Sequence, residues 1–347
     1  MRKISWLGVV LLVLLIFSCK KSEEKPASAK SLAGQKKEIK PEIILKSADD
    51  HPPDYPTTQG LFYMARYLEE KSGGRIKMRV YHSAQLGSEK ETIEQTQFGA
   101  IDLDRVNINP VTQISKTMIV LAMPFLFKNK EHLHRVLDGK IGKKLLEDLE
   151  PYGLVGLGYY DAGARSFYNS HRPIYKPEDL KGLKIRVQKS QIMIDMVRAL
   201  GASPTPMAFE EVYTALQTGV IDGAENNFPS YYYTRHYEVA KYYSLDRHCW
   251  SPEVLLFSKK TWERLSEADR RLIQEAAFAS VIHQRKLWKE YEKKAEQRLR
   301  QAGVKINQIK EITAFQKAVE PVYEKYLKDP KIKELIQEIK ALGEELE

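Results

Sequence analysis

Cysteine is almost absent from this chain of 347 residues: it holds two, Cys19 and Cys249. A disulfide framework is excluded, and no paired-cysteine metal motif can form. The eight histidines supply no His-Glu-x-x-His, and no acidic calcium loop is present, so no metal site is expected. His132 and His134 share a predicted helix but stand two apart and face different directions. A Gly-x-Ser-x-Gly elbow is missing. Gly153, Gly156 and Gly158 are followed by Tyr159-Tyr160-Asp161 rather than by a helix, which rules out a dinucleotide loop. No catalytic residue and no cofactor is expected. The formal net charge is +9, with bases interleaved among acids, whereas nucleic-acid binding wants a clustered basic stripe. The apolar run Trp6 to Phe17 is shorter than the ~20 residues of a spanning helix.

That run, preceded by Arg2 and Lys3, reads instead as the core of an export signal over residues 1–18. It closes Ile16-Phe17-Ser18-Cys19, which resembles the lipobox of bacterial lipoproteins. Cys19 is therefore the expected lipidation site, and the membrane is met only through that anchor. Residues 19–41 are Lys, Glu, Ser, Ala and Pro with little apolar content; such a stretch cannot repay its ordering entropy and is expected to be a flexible tether. The expected location is periplasmic or extracytoplasmic. Cys249, left without a partner, reads as a buried small hydrophobe.

Beyond the tether, strands and helices alternate. Glu42 to Ser47, Ile76 to His82, Ile101 to Val106, Leu154 to Tyr160 and Leu183 to Val187 read as strands. Thr57 to Lys71, Ser88 to Phe98 and Gln191 to Leu200 read as helices, each stopped by glycine. This alternation predicts an α/β architecture with largely parallel sheets. Gln97-Phe98-Gly99-Ala100-Ile101-Asp102 and Gln217-Thr218-Gly219-Val220-Ile221-Asp222 repeat one pattern, a helix end, a glycine fit for a left-handed cap and a strand start. Two lobes of related build follow, with Arg105 and Glu225 at equivalent places on their lips. From Glu267 to Gln301 no proline or glycine intervenes, which predicts a helix on the order of 50 Å long, more than one lobe wide.

Polar residues recur at predicted strand ends: Asp49, Asp50 and His51, then Arg105, Asn107 and Asn109, then Arg165, Arg186 and Asn226, with Glu89 opening a helix. In open α/β sheets ligands bind beyond the carboxyl ends of the strands. A guanidinium there can hold a carboxylate by two parallel charge-assisted hydrogen bonds. The pattern predicts a binder of small organic acids. A carboxylate pair for glycoside hydrolysis can also be drawn from Asp49, Asp50, Glu89 or Glu225, so a secreted hydrolase of acidic saccharides stays open as a remote alternative, beside a purely structural lipoprotein.

The run from Leu200-Gly201-Ala202-Ser203-Pro204 through Phe209-Glu210-Glu211 to Asp222-Gly223-Ala224-Glu225-Asn226, with Lys181-Gly182-Leu183-Lys184-Ile185-Arg186-Val187 and Gln85-Leu86-Gly87, resembles the solute-binding proteins of TRAP transporters of the DctP type. The resemblance implies a two-lobed periplasmic-binding-protein-like fold with a hinge and a long lobe-spanning helix. It implies lobe I over 42–161 plus 251–285, lobe II over 162–250 plus 286–330, and a C-terminal helix over 331–347. It puts the carboxylate salt bridge on Arg186, assisted by Asn226, with Arg165 as the second arginine and Phe209 packing on the ligand body. From the other lobe it points, by region, to Asp50, His51, Glu89, Arg105 and Asn107. The implied partners are one organic acid and a two-component TRAP permease, the chain itself acting as a monomer. Tyr159 to Tyr168 and Glu225-Asn226-Asn227 are similar to the hexuronate-binding members, and the acceptors Asp50 and Glu89 suit hydroxyls rather than a second anion. A sugar acid such as glucuronate or galacturonate is thus expected over a C4-dicarboxylate or sialic acid.

Overall fold

The computed structural model describes residues 40–345; the signal, the lipidation site and nearly all of the tether lie outside them. Among the described residues no helix is long and apolar enough to cross a membrane.

Among the described residues eleven strands build two sheets. The first has the order β2-β1-β3-β10-β4, from β1 (Ile43–Ala48), β2 (Ile76–Tyr81), β3 (Leu103–Asn107), β4 (Leu154–Tyr160) and β10 (Glu253–Ser258). The second has the order β11-β9-β5-β8-β6-β7, from β5 (Ala164–Asn169), β6 (Lys184–Val187), β7 (Ser203–Pro206), β8 (Gly223–Asn226), β9 (Tyr242–Trp250) and β11 (Lys305–Gln308). The chain changes sheet between β4 and β5 and again between β9 and β10. The sheets are mixed rather than largely parallel: β10 runs antiparallel to β3 and β4, and β5 antiparallel to β8 and β9. The cause is the crossing itself. A strand that arrives from the other lobe needs no βαβ connection and inserts beside its neighbour in the opposite direction.

Local chemistry sets the element ends. Helix α1 (Pro56–Lys71) begins on a proline, whose missing N–H costs nothing at that position. Helix α2 (Glu89–Phe98) is preceded by Ser88, whose N–H donates to Glu91 Oε2 at 2.8 Å, and is closed by Gly99 at φ 80°. The repeated motif has one geometry in both lobes. Asp102 Oδ2 accepts from Lys46 N–H at 2.7 Å, and Asp222 Oδ2 accepts from Lys184 N–H at 2.7 Å. Each aspartate thus ties the start of its strand to the neighbouring parallel strand.

The long helix runs unbroken over Glu267–Gln301, with Ser266 Oγ accepting from Asp269 N–H at its start. Ile273, Ala276, Ala277 and Val281 are buried in the core beneath the first sheet, whereas Leu299 joins the core of the second. Between them Gln284 brackets the backbone of Asp161 with two hydrogen bonds of 2.9 Å, which fixes the first crossing to the helix. The C-terminal helix (Pro330–Glu344) buries Ile332, Leu335, Ile336 and Ile339, and His132 Nε2 meets the carbonyl of Ile339 at 2.7 Å. His134 instead faces Asp161 at 2.5 Å, so the two histidines do turn apart.

Candidate functional site

Arg186 is on the buried strand β6, whose burial on both faces matches its apolar neighbours Ile185 and Val187. Its Nε and Nη2 donate to the Met207 carbonyl at 3.0 and 2.8 Å. Among the described residues no carboxylate comes within 4.0 Å of it. Burial pulls its pKa down, aided by the nearby charge of Arg165 and opposed by Glu225. A buried guanidinium held by a carbonyl and lacking a counter-ion is the arrangement that a ligand carboxylate completes.

Arg165 is differently placed. Its Nε donates to Glu225 Oε2 at 2.5 Å, Nη2 to Glu225 Oε1 at 2.9 Å, and Nη1 to Asn226 Oδ1 at 3.0 Å. Glu225 is 0% exposed and also faces His248 Nε2 at 3.4 Å, and His248 Nδ1 meets Asp246 Oδ2 at 2.7 Å. Burial alone would raise the Glu225 carboxyl, but Arg165 and His248 hold it down at about 2. His248, lowered by burial, is pushed up to about 9 by Asp246 and Glu225. Arg165 therefore has its charge matched, and with Glu225 it fixes the Asn226 amide.

On the facing lobe Arg105 is not at a lip; it is fully buried. It contacts Asp49 and Asp50, reaches Glu253 at 2.6 Å and lies 3.5 Å from Glu89. The reason is composition: four acids converge here, and only a buried cation offsets them. Asp49, Asp50 and His51 hold ligand-type atoms within 4.8 Å of one another, but the Arg105 guanidinium fills that space, which does not suit a metal ion. His51 faces Asp50 at 2.8 Å; burial lowers its pKa, Asp50 more than compensates, and it stands at about 9. The imidazole stacks on Tyr55 at 4.1 Å and meets Phe209 of the facing lobe at 5.2 Å.

Glu89 differs from expectation. Its Oε1 accepts from Asn107 N–H at 2.7 Å, yet burial first, then Asp50 and Glu253, raises its pKa to about 8. That shift favours the protonated form near neutral pH, in which Glu89 can donate to a ligand hydroxyl as well as accept.

All the expected residues except Arg105 line one cavity between the lobes, and Arg105 sits behind it. Its free volume of about 20 Å³ holds roughly one water. Gln188, Ser230 and Glu253 also line it and escaped the sequence reading. Gln188 joins the lobes, donating to Glu89 Oε2 at 3.3 Å and accepting from Asn109 Nδ2 at 2.8 Å. Its place two residues past Arg186 was the available signal. For Glu253 the signal was an acid heading the apolar run Val254-Leu255-Leu256-Phe257.

A closed cleft between two α/β lobes with an unmatched guanidinium inside defines a solute-binding architecture. The family described as bacterial extracellular solute-binding protein, family 7 (DctP) matches residues 47–329, and the chain belongs to this family. It is similar to a solute-binding protein of Chromohalobacter salexigens, 42% identical over 290 residues that cover 83% of this chain and 86% of the relative. A solved TRAP periplasmic solute-binding protein from Xanthobacter autotrophicus Py2 with bound β-D-galacturonate is 46% identical, with TM-score 0.83, over 86% of this chain and 99% of that one. Another, from Chromohalobacter salexigens with bound D-glucuronate, is 41% identical with TM-score 0.84 over the same shares.

Proposed function

We propose that the chain is the extracytoplasmic binding component of a TRAP transporter, capturing a hexuronate such as glucuronate or galacturonate and delivering it unaltered to a membrane permease. The observation that carries this reading is Arg186, a buried cation without a carboxylate inside the closed cleft. The ligand carboxylate pairs with it, Asn226 assists, and Phe209 covers the sugar body. Asp50, His51, Glu89 and Asn107 address the hydroxyls from the facing lobe. Arg105 and Arg165 act as fixed counter-ions that aim these groups. Lobe I comprises 42–161 plus 251–285 and lobe II 162–250 plus 286–330. The mature chain is a monomer held at the membrane by a lipid on Cys19.

Neither Arg105 nor Arg165 is available for a second carboxylate, since each is already matched by acids. This disfavours a C4-dicarboxylate, which needs two cationic foci. A thermal-shift screen of glucuronate, galacturonate, aldonates, sialic acid and succinate tests the reading. The uronates should raise the melting temperature most. Stabilisation by succinate alone would replace the ligand assignment, and steady chemical conversion of a bound uronate would overturn the transport reading.

A further inference from the structure

Strand β5 has two faces with different company. Arg165 turns toward the ligand cleft, while its neighbours Ala164 and Ser166 line a groove of about 780 Å³ on the opposite side. The wall of that groove is irregular. Ala164 pairs with Trp250 and Arg165 with Cys249, but Phe167 pairs with Ser244, so residues 245–248 bulge from β9. Bulges re-aim side chains. Here Asp246 and His248 turn inward and are buried, and Arg247, at φ 46°, is left exposed on the groove. A left-handed conformation is uncommon for a residue other than glycine.

Arg247 shares the lining of this groove with Lys289 and Lys293 of the long helix. Among the described residues none of the three has an ion pair or a side-chain hydrogen bond. The acids of the groove are already engaged. Asp246 accepts from Phe167 N–H at 3.1 Å and holds His248, and Glu296 pairs with Arg300 at 2.7 Å. Burial pushes the Glu292 carboxyl toward its neutral form. Phe127, Phe228 and Trp250 add flat apolar walls. Unmatched cations attract an anion, and aromatic side chains pack against a flat ring in offset or edge-to-face arrangements.

We propose that this groove is a second binding site, for a small organic anion carrying two or more negative charges on a ring-shaped body. The site does not depend on the hexuronate reading of the cleft. Its occupant would touch the β4–β5 and β9–β10 crossings, through Ala164 and Trp250. Behind the bulge the chain Asp246–His248–Glu225–Arg165 leads to the cleft, so binding at the two sites is linked.

The probe is benzene-1,3,5-tricarboxylate, titrated into the mature chain by calorimetry. Wild type and Arg186→Ala should both bind one equivalent, which separates the groove from the cleft. The triple variant Arg247→Gln, Lys289→Gln, Lys293→Gln should bind at least tenfold more weakly while melting within a few degrees of wild type, since all three residues are exposed. No saturable binding, binding that Arg186→Ala removes, or full binding by the triple variant would overturn the site. With the groove saturated, glucuronate affinity should move threefold or more and reciprocally; an unchanged affinity would overturn the linkage.

Discussion

Arg165 and Glu225 meet through two parallel hydrogen bonds of 2.5 and 2.9 Å, in a place where neither is more than 3% exposed. Breaking such a pair strands a buried charge. Glu225→Gln is therefore expected to lower unfolding stability by about 3–5 kcal/mol, read by urea denaturation. The pH dependence has a definite sign. The folded carboxyl titrates at about 2, below its ordinary value of 4.5. Its stabilisation is complete above 4.5 and is lost as pH falls toward 2. Melting temperature should drop across that window in wild type and less steeply in the variant; equal slopes would remove Glu225 from this role.

Arg186 predicts the opposite pattern for stability. It has no carboxylate to leave unpaired, and burial already disfavours its charge. Arg186→Ala should leave the ligand-free melting temperature unchanged or raised. Hexuronate affinity should fall by roughly two to three and a half orders of magnitude, the equivalent of about 3–5 kcal/mol. Calorimetric titration beside a melting curve checks both halves. A variant that binds normally, or one that simply unfolds, contradicts the assignment.

The repeat around Gly99 and Gly219 was legible in the sequence because a left-handed cap demands glycine, and both take it, at φ 80° and 72°. The long helix was legible from its lack of breakers. Strand β5 was not: its sequence Ala-Arg-Ser-Phe-Tyr-Asn alternates poorly, because Arg165 and Ser166 are buried for their hydrogen bonds rather than for apolar packing. The antiparallel insertion of β10 was hidden for the same kind of reason, since direction is set by the lobe crossing. The protonation of Glu89 depends on Asp50 and Glu253, brought together only by the fold.

That protonation has a consequence for binding. The raised pKa favours the neutral form of Glu89 near neutral pH, which does not oppose a uronate; as pH rises through about 8 the ionised form faces a second anion. Hexuronate affinity should weaken as pH rises through about 8, approaching tenfold per pH unit in the limit of one linked proton. Glu89→Gln keeps a neutral donor and acceptor at that position. It should bind nearly as well as wild type at pH 7 and show a flat profile to pH 9. Titrations at four pH values decide this; parallel profiles would mean that another group governs the dependence.

Gly223 opens β8, three residues before Asn226. A Cβ placed there would lie 2.3 Å from the Tyr168 carbonyl on the paired strand. Backbone cannot yield as a flexible side chain can, so β8 would have to shift. Gly223→Ala should cost about 1–3 kcal/mol of stability and weaken hexuronate binding through Asn226. A melting curve and a titration within error of wild type would contradict the contact.

Closure of the cleft is held by several groups, among them Thr112 Oγ1 and Ser190 Oγ at 3.1 Å. Gln188 spans it, bonded to Glu89 and Asn109, and Tyr55 Oη meets Ser230 Oγ at 2.8 Å. With about 20 Å³ free inside, a sugar acid enters only if the lobes part, and the long helix gives them a common axis to bend about. Small-angle scattering should show compaction when glucuronate is added to wild type. Gln188→Ala removes one tie and leaves Arg186 intact. Its ligand-free form should scatter as a larger particle than ligand-free wild type, and saturating glucuronate should bring both to one radius. A radius that ignores both ligand and substitution would mean that the lobes do not move as a hinge.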